Sequence, residues 1–240
     1  MTTPVPSDPP ASVWADFLEI FYQPSAVFER RKKGGFALQL VVLLVVANVL
    51  YFATKTAMQP IFEAEFARGM AQAMKQNPQL TPEMLESARA WGLAMANIGV
   101  GLFFLLGPMI IGTLLWIAGK FVEARQELGQ ACLVATYAFF PRLLEQLLNA
   151  LQALVLPEES LNSRWALSLG LGRLFDPDKT PLLLLAIIGR IDVFTLWVTA
   201  LLAIGLSVTG GIPLRKAAWA AAGIWLVGAL PQVLAAIRAG

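Results

Sequence analysis

The sequence predicts an all-α fold, an integral membrane helical bundle of five transmembrane helices with an amino-terminal interfacial helix. Three observations lead there. The chain is 57% hydrophobic and only 14% charged, with a mean hydropathy of +0.65; a soluble domain needs more charge to cover its surface. Its longest apolar run, Pro181 to Gly210, exceeds the roughly 20 residues that cross a bilayer as a helix. A dense basic cluster, Arg30 to Lys33, stands beside the first apolar run, the arrangement that orients membrane helices.

Residues 1–11 (MTTPVPSDPPA) hold four prolines and little that could pack, so a disordered tail is expected. No basic region followed directly by an apolar core marks a secretory signal. Residues 12–33 are expected as a cytoplasmic interfacial helix and basic cluster. From Ser12 to Phe28, the side chains of Trp14, Phe17, Leu18 and Phe21 share one face, with Asp16 and Glu19 elsewhere. That pattern fits a helix lying in the membrane interface or one packed on the protein's own spans, because amphipathicity does not tell lipid from protein. Pro24 is expected to end it. Arg30, Arg31, Lys32 and Lys33 should then hold this end in the cytoplasm. They can also attract anionic headgroups, although orientation alone explains them.

Residues 34–240 are expected as one membrane domain with spans at about 36–53, 91–121, 131–156, 182–209 and 217–237. Residues 60–90 read as a mostly helical hairpin outside the membrane. Phe62, Phe66, Met70, Ala73 and Met74 form one face, Asn77-Pro78 breaks it, and Thr81 caps a second helix with Pro82 at its first position. That helix continues through Trp91 into span two, where Pro108 should kink it and Gly99, Gly101, Gly107 and Gly112 admit close neighbours.

A loop with Lys120, Glu123, Arg125 and Glu127 leads to span three, whose second half places Arg142, Glu145, Gln146 and Asn149 on one helical face and Gln152 at its margin. An outer segment, 157–180, includes a weakly amphipathic piece around Trp165 to Phe175. Span four allows two readings. Either one tilted helix carries Arg190 and Asp192 inside the membrane, or a short interfacial helix ends near Gly189 and the span begins at Ile191. From Asp192 onward, Thr195, Thr199, Ala203 and Ser207 recur on one small, polar stripe that should face protein. In span five, Gly223 and Gly228 with Ala217, Ala218, Ala220, Ala221 and Ala222 predict a packing helix. An odd number of spans puts the amino end in the cytoplasm and the carboxyl end outside.

Composition also narrows function. Histidine is absent, which removes the usual neutral-pH base, the His-activated nucleophiles and most zinc sites. The single cysteine, Cys132, lies in a hydrophobic run and reads as a small core residue. A net charge of +2 does not suit nucleic acid. No enzyme activity, cofactor or metal is expected. Ionisable groups within spans are costly and default to a functional hypothesis; here they are Arg142, Glu145, Arg190 and Asp192. The plainer reading is that two opposite-charge pairs fix helix register, with Asn149 and Gln152 as interhelical hydrogen-bond partners and Asn149, Thr195 and Thr199 in the same polar seam. On a continuous span four, the helical rise matches Arg142 in depth with Asp192 and Glu145 with Arg190. The alternative is transport of a small solute or proton along the seam. No internal repeat and no second broken span supports it.

Several short elements carry a family resemblance. Phe21-Tyr22-Gln23-Pro24 with Phe28 precedes span one, Tyr137 and Pro141 lie in span three, and Ile191-Asp192-Val193-Phe194 with Trp197 opens span four. The last is similar to an Asp-x-Phe-x-x-Trp element, and Gly205 and Lys216-Ala217 fit too. In these the chain resembles a bacterial member of the Yip1 domain family over most of residues 17–230. The resemblance implies five spans with a cytosolic amino end. Eukaryotic members sit in Golgi and related membranes and contact Rab-type GTPases and one another, but their Asp-Leu-Tyr-Gly-Pro type element is missing here, which argues against a GTPase partner. The expectation is therefore a non-enzymatic membrane-organising or adaptor protein of the bacterial cytoplasmic (inner) membrane. Its partners would be membrane lipids, other membrane proteins or further copies of itself.

Overall fold

The computed structural model describes residues 12–239; the expected disordered tail, residues 1–11, lies outside the described residues. The chain begins with two short helices, α1 (Val13–Glu19) and α2 (Pro24–Arg31). Ser12 caps α1 by accepting a hydrogen bond from the Ala15 N–H. Pro24 does more than end the first helix: it occupies the first turn of the second, where its missing N–H costs nothing.

Five stretches are long and apolar enough to cross a membrane, as expected. The first is α3 (Ala37–Thr54). Leu38, Val41, Val45, Val49 and Phe52 on its outer side are exposed, as suits lipid contact. Then α4 (Gln59–Gln76) ends at Asn77, and Thr81 caps α5 (Pro82–Phe121), a helix of 40 residues that runs through Pro108 without a break. Arg89 of α5 pairs with Glu63 of α4 at 2.9 Å.

The third stretch is two helices, not one. Between α6 (Leu128–Ala138) and α7 (Phe140–Val155) the ladder breaks at Phe139. Pro141, near the start of α7, has no N–H for the carbonyl four residues back, so a new helix starts there. After three 3-10 turns within residues 158–174, α8 (Leu182–Ile188) precedes α9 (Val193–Gly210). The piece around Trp165 to Phe175, expected as weakly amphipathic, is thus two 3-10 turns, Arg164–Leu167 and Leu171–Leu174. Span four therefore follows the second reading: it is not one helix over 182–209 but begins after Asp192. Span five also divides, into α10 (Leu214–Val227) and α11 (Leu230–Ala239), around Gly228 and Ala229.

The ends of these helices define two faces. On the amino-terminal face, the Arg125 N–H bonds the Gly210 carbonyl at 3.0 Å, Lys216 pairs with Glu123 at 2.9 Å, and the Gln130 amide donates to the Lys32 carbonyl at 2.8 Å. The pair with Lys216 holds the Glu123 carboxyl below its ordinary range. On the far face, Arg68 of α4 pairs with Asp178 at 2.7 Å, and Glu65 accepts from the Arg164 N–H at 3.0 Å. A small satellite core of Ile61, Ala153, Leu161 and Leu167 lies beneath them.

The main core is built by α6, buried from Ala131 to Ala138, with α2, α3, α5, α9 and α10 around it. Gly112 of α5 allows this: a Cβ there would stand 2.7 Å from the Cys132 Cα of α6. Of the Thr195, Thr199, Ala203 and Ser207 stripe of α9, Thr195 and Ala203 are buried and Thr199 and Ser207 half-buried, as expected of a face turned to protein. In α10 the packing face is Ala217, Ala220, Ala221 and Ile224. Gly223, expected in that face, points outward with no neighbour within 4 Å of an added Cβ.

Candidate functional site

The polar seam forms where α9 starts. Asp192 has an extended backbone, φ −130° and ψ 156°, and acts as the helix cap. One carboxylate oxygen accepts from the N–H groups of Phe194 and Thr195, at 2.9 and 3.0 Å, and the other accepts from the Thr195 hydroxyl at 2.5 Å. The extended conformation is held from outside the helix. The Leu171 N–H bonds the Ile191 carbonyl at 3.0 Å and the Val193 N–H bonds the Leu169 carbonyl at 3.3 Å, making an antiparallel bridge between Gly170 and Asp192. Only glycine fits opposite, because a Cβ on residue 170 would stand 2.4 Å from the Ile191 carbonyl oxygen.

Arg142 of α7 approaches from the facing helix. Its Nη1 pairs with Glu145 at 2.6 Å and its Nη2 donates to the Thr195 hydroxyl at 3.0 Å. The Thr199 hydroxyl donates to the Thr195 carbonyl at 2.8 Å, one turn further in. Arg142, Glu145, Thr195 and Asp192 thus form one continuous chain of polar contacts. The direct pairings expected for a continuous span, Arg142 with Asp192 and Glu145 with Arg190, do not occur. The helix break sets Asp192 as a cap and turns Arg190 elsewhere.

Arg190 sits in the short link between α8 and α9 and reaches α10. Its Nη2 donates to the Trp225 carbonyl at 3.0 Å, the Trp225 indole N–H donates to the Arg190 carbonyl at 3.3 Å, and its guanidinium carbon stands 5.8 Å from the Trp225 ring centre. Its buried Nε has no acceptor. Asn149 stands apart from the chain of contacts. It lines a cavity of about 330 Å³ between α3, α5 and α7, together with Tyr51, Arg142, Glu145 and Gln146.

Depth follows from helix length. The 18 residues of α9 rise about 27 Å, just under the roughly 30 Å hydrocarbon thickness. Asp192 and Arg190 therefore sit at the far edge of the membrane, with Thr195 and Arg142 about one turn inside it.

The residues that carried the family resemblance converge although three distant stretches supply them. Phe21 meets Trp197 edge-on at 5.6 Å, and Phe194 stacks near Trp197 at 6.4 Å. Phe28 meets Tyr137 edge-on at 6.2 Å, and Phe17 stacks on Phe140, next to Pro141, at 5.0 Å. Pro24 starts the helix that carries Phe28. The amino-terminal helices are therefore seated on the bundle, and the apolar face assigned from the sequence needs correction. Phe17 and Phe21 face protein, while Trp14, Leu18 and Tyr22 are exposed.

The largest departure is Asp16. Placed away from the apolar face by the sequence pattern, it is fully buried and pairs with both Arg30, at 2.5 Å, and Arg31. Arg30 also pairs with Glu19, and Lys32 with Glu29. The hydrogen bond that Arg30 donates to Asp16 holds the guanidinium above its ordinary pKa. The Tyr137 hydroxyl donates to Asp16 at 3.5 Å and lies 3.3 Å from the Gln39 amide. Much of the basic cluster is thus committed within the fold. The available signal was an acid one short helix ahead of two arginines, with Pro24 between them to turn the chain back.

No curated protein and no solved structure matches the chain. A family model described as Yip1 domain matches residues 18–235, which takes in Phe21 and Phe28, the first four spans, the cap at Asp192 and all but the last two residues of the fifth span. The chain belongs to the Yip1 domain family, as a multi-pass integral membrane protein.

Proposed function

We propose that this protein is a non-enzymatic membrane-organising or adaptor protein that acts through contacts with other membrane proteins or with lipids. The observation that carries this reading is the way the seam's polar groups are engaged. Asp192 accepts three hydrogen bonds as a helix cap, and Arg142 is divided between Glu145 and Thr195. Groups held this way fix the start of α9 against α7, and the Asp192 carboxylate is occupied with capping that helix start. What the bundle presents outward is apolar surface along α3 and α5, suited to neighbours within the bilayer. We place it in a bacterial cytoplasmic membrane with its amino end inside, following the Arg30 to Lys33 cluster.

Affinity capture from native membranes tests this. A reproducible set of membrane proteins, lost when the exposed α3 residues Val41, Val45 and Val49 are changed to polar ones in a folded variant, is expected. The opposing outcome is no specific partner, together with solute or proton flux in reconstituted vesicles. Flux would favour transport, the reading supported by the cavity beside Arg142 and Arg190.

A further inference from the structure

A second cavity, of about 500 Å³, opens between α5, α7, α9 and α10. Its floor is apolar, with Leu102, Leu106 and Ile110 of α5, each half-exposed, forming the side that faces lipid. Its polar lining is confined to one end, at Arg142, Arg190, Thr195, Thr199 and Trp225. Both guanidinium groups line this space, yet neither Glu145 nor Asp192 does.

The two arginines are not equally compensated. Arg142 has Glu145. Arg190 has no carboxylate within ion-pair distance among the described residues; its neighbours are a carbonyl oxygen and an indole face, and its Nε lacks an acceptor. A guanidinium at the membrane edge with no carboxylate paired directly to it is costly, and its planar fork suits the oxygens of a phosphate. An indole at the same level suits the headgroup boundary. The arrangement is a cation above an apolar trough, the complement of an amphiphile with an anionic head and a hydrocarbon tail.

We propose that this groove binds one anionic phospholipid of the far leaflet, its phosphate held by Arg190 and attracted by the charge of Arg142 on the same lining, and its acyl chain lying along Leu102, Leu106 and Ile110. This deepens the lipid side of the adaptor reading and rests on it. A lipid that fills the groove closes the gap between α5 and α10 and completes the surface the bundle offers to neighbours.

The test uses the full-length protein in a neutral detergent, titrated with phosphatidylglycerol, phosphatidylcholine and inorganic phosphate, with bound lipid counted by native mass spectrometry and thermal stability followed in parallel. Phosphatidylglycerol should bind saturably at one site and raise Tm, with phosphatidylcholine and inorganic phosphate far weaker. Arg190→Gln should weaken phosphatidylglycerol about ten-fold or more, the loss of a charge-assisted hydrogen bond. Arg190→Lys should retain part of the affinity. Leu106→Trp, which fills the trough without touching a charge, should also weaken binding. It does so even if Arg190→Gln proves too unstable to purify. Lys120→Gln, on the amino-terminal face, should leave binding unchanged. Equal affinity for phosphatidylcholine, equal protection by inorganic phosphate, or undiminished binding in both Arg190→Gln and Leu106→Trp would each overturn the lipid site. None of these results bears on the partner capture above, so the adaptor reading stands or falls separately.

Discussion

Arg142 and Asp192 are joined without touching: the Thr195 hydroxyl accepts from Arg142 Nη2 at 3.0 Å and donates to the Asp192 carboxylate at 2.5 Å. One hydroxyl thus couples α7 to the cap of α9. Thr195→Val keeps the shape and removes the bridge, leaving a guanidinium N–H and a carboxylate oxygen without their partner. Thermal or denaturant unfolding in detergent should show a loss of about 1–3 kcal/mol, the range for stranding a buried polar group. Thr195→Ser should recover most of it. A loss in Thr195→Ser with none in Thr195→Val would mean that the methyl group, not the hydroxyl, holds the helices.

Asp192 works chiefly as a helix cap. Asn caps almost as well as Asp, whereas Ala costs about 1 kcal/mol. Asp192→Asn should therefore be milder than Asp192→Ala in the same unfolding measurement. A double-mutant cycle of Asp192→Asn with Arg142→Gln should show weak coupling, because the two side chains meet only through Thr195. A strong favourable coupling would point to a direct ion pair.

The break that makes Asp192 a cap was only half legible in the sequence. Arg190 and Asp192 marked the place, and Gly189 allowed an interruption, but hydropathy alone runs unbroken through Pro181 to Gly210. What decides it is long-range: the Gly170 backbone pairs with Asp192 from 22 residues away, and no local pattern carries that. The apolar spans and their count were plain because lipid demands long hydrophobic helices. Side-chain partners across helices were not, as Arg142 and Arg190 show, because depth estimates assume unbroken rods.

Asp16 tests the seating of the amino-terminal helices. Its carboxylate is buried, but Arg30 and Arg31 keep 30% and 24% of their side-chain surface exposed, so water would recover part of any lost pairing. Asp16→Ala should cost about 1–3 kcal/mol and, more tellingly, speed hydrogen exchange and proteolysis within residues 13–31. Unchanged protection there would mean that the aromatic contacts of Phe17, Phe21 and Phe28 suffice. The sequence pattern missed this carboxylate because periodicity ranks an acid as surface, while burial here is set by two arginines that reach back over it.

Two glycines of α5 separate close packing from mere helix propensity. Gly112→Ala drives a Cβ to within 2.7 Å of the Cys132 backbone, and overpacking of this kind costs about 1–3 kcal/mol. At Gly99 an added Cβ meets nothing within 4 Å, so Gly99→Ala should be neutral or gain up to about 1 kcal/mol from helix propensity. Thermal unfolding of the two variants side by side reads the difference. Equal effects would mean that α5 and α6 are further apart than described.

The most direct measurement is the sidedness of the two chain ends. Reporter tags placed at residue 3 and after Gly240, in otherwise unaltered protein in its membrane, should lie on opposite sides, because α3, α5, the α6–α7 pair, α9 and the α10–α11 pair cross five times. Both tags on the same side would contradict the five-span bundle, and with it the placement of the Arg142–Thr195–Asp192 seam at the far edge of the membrane.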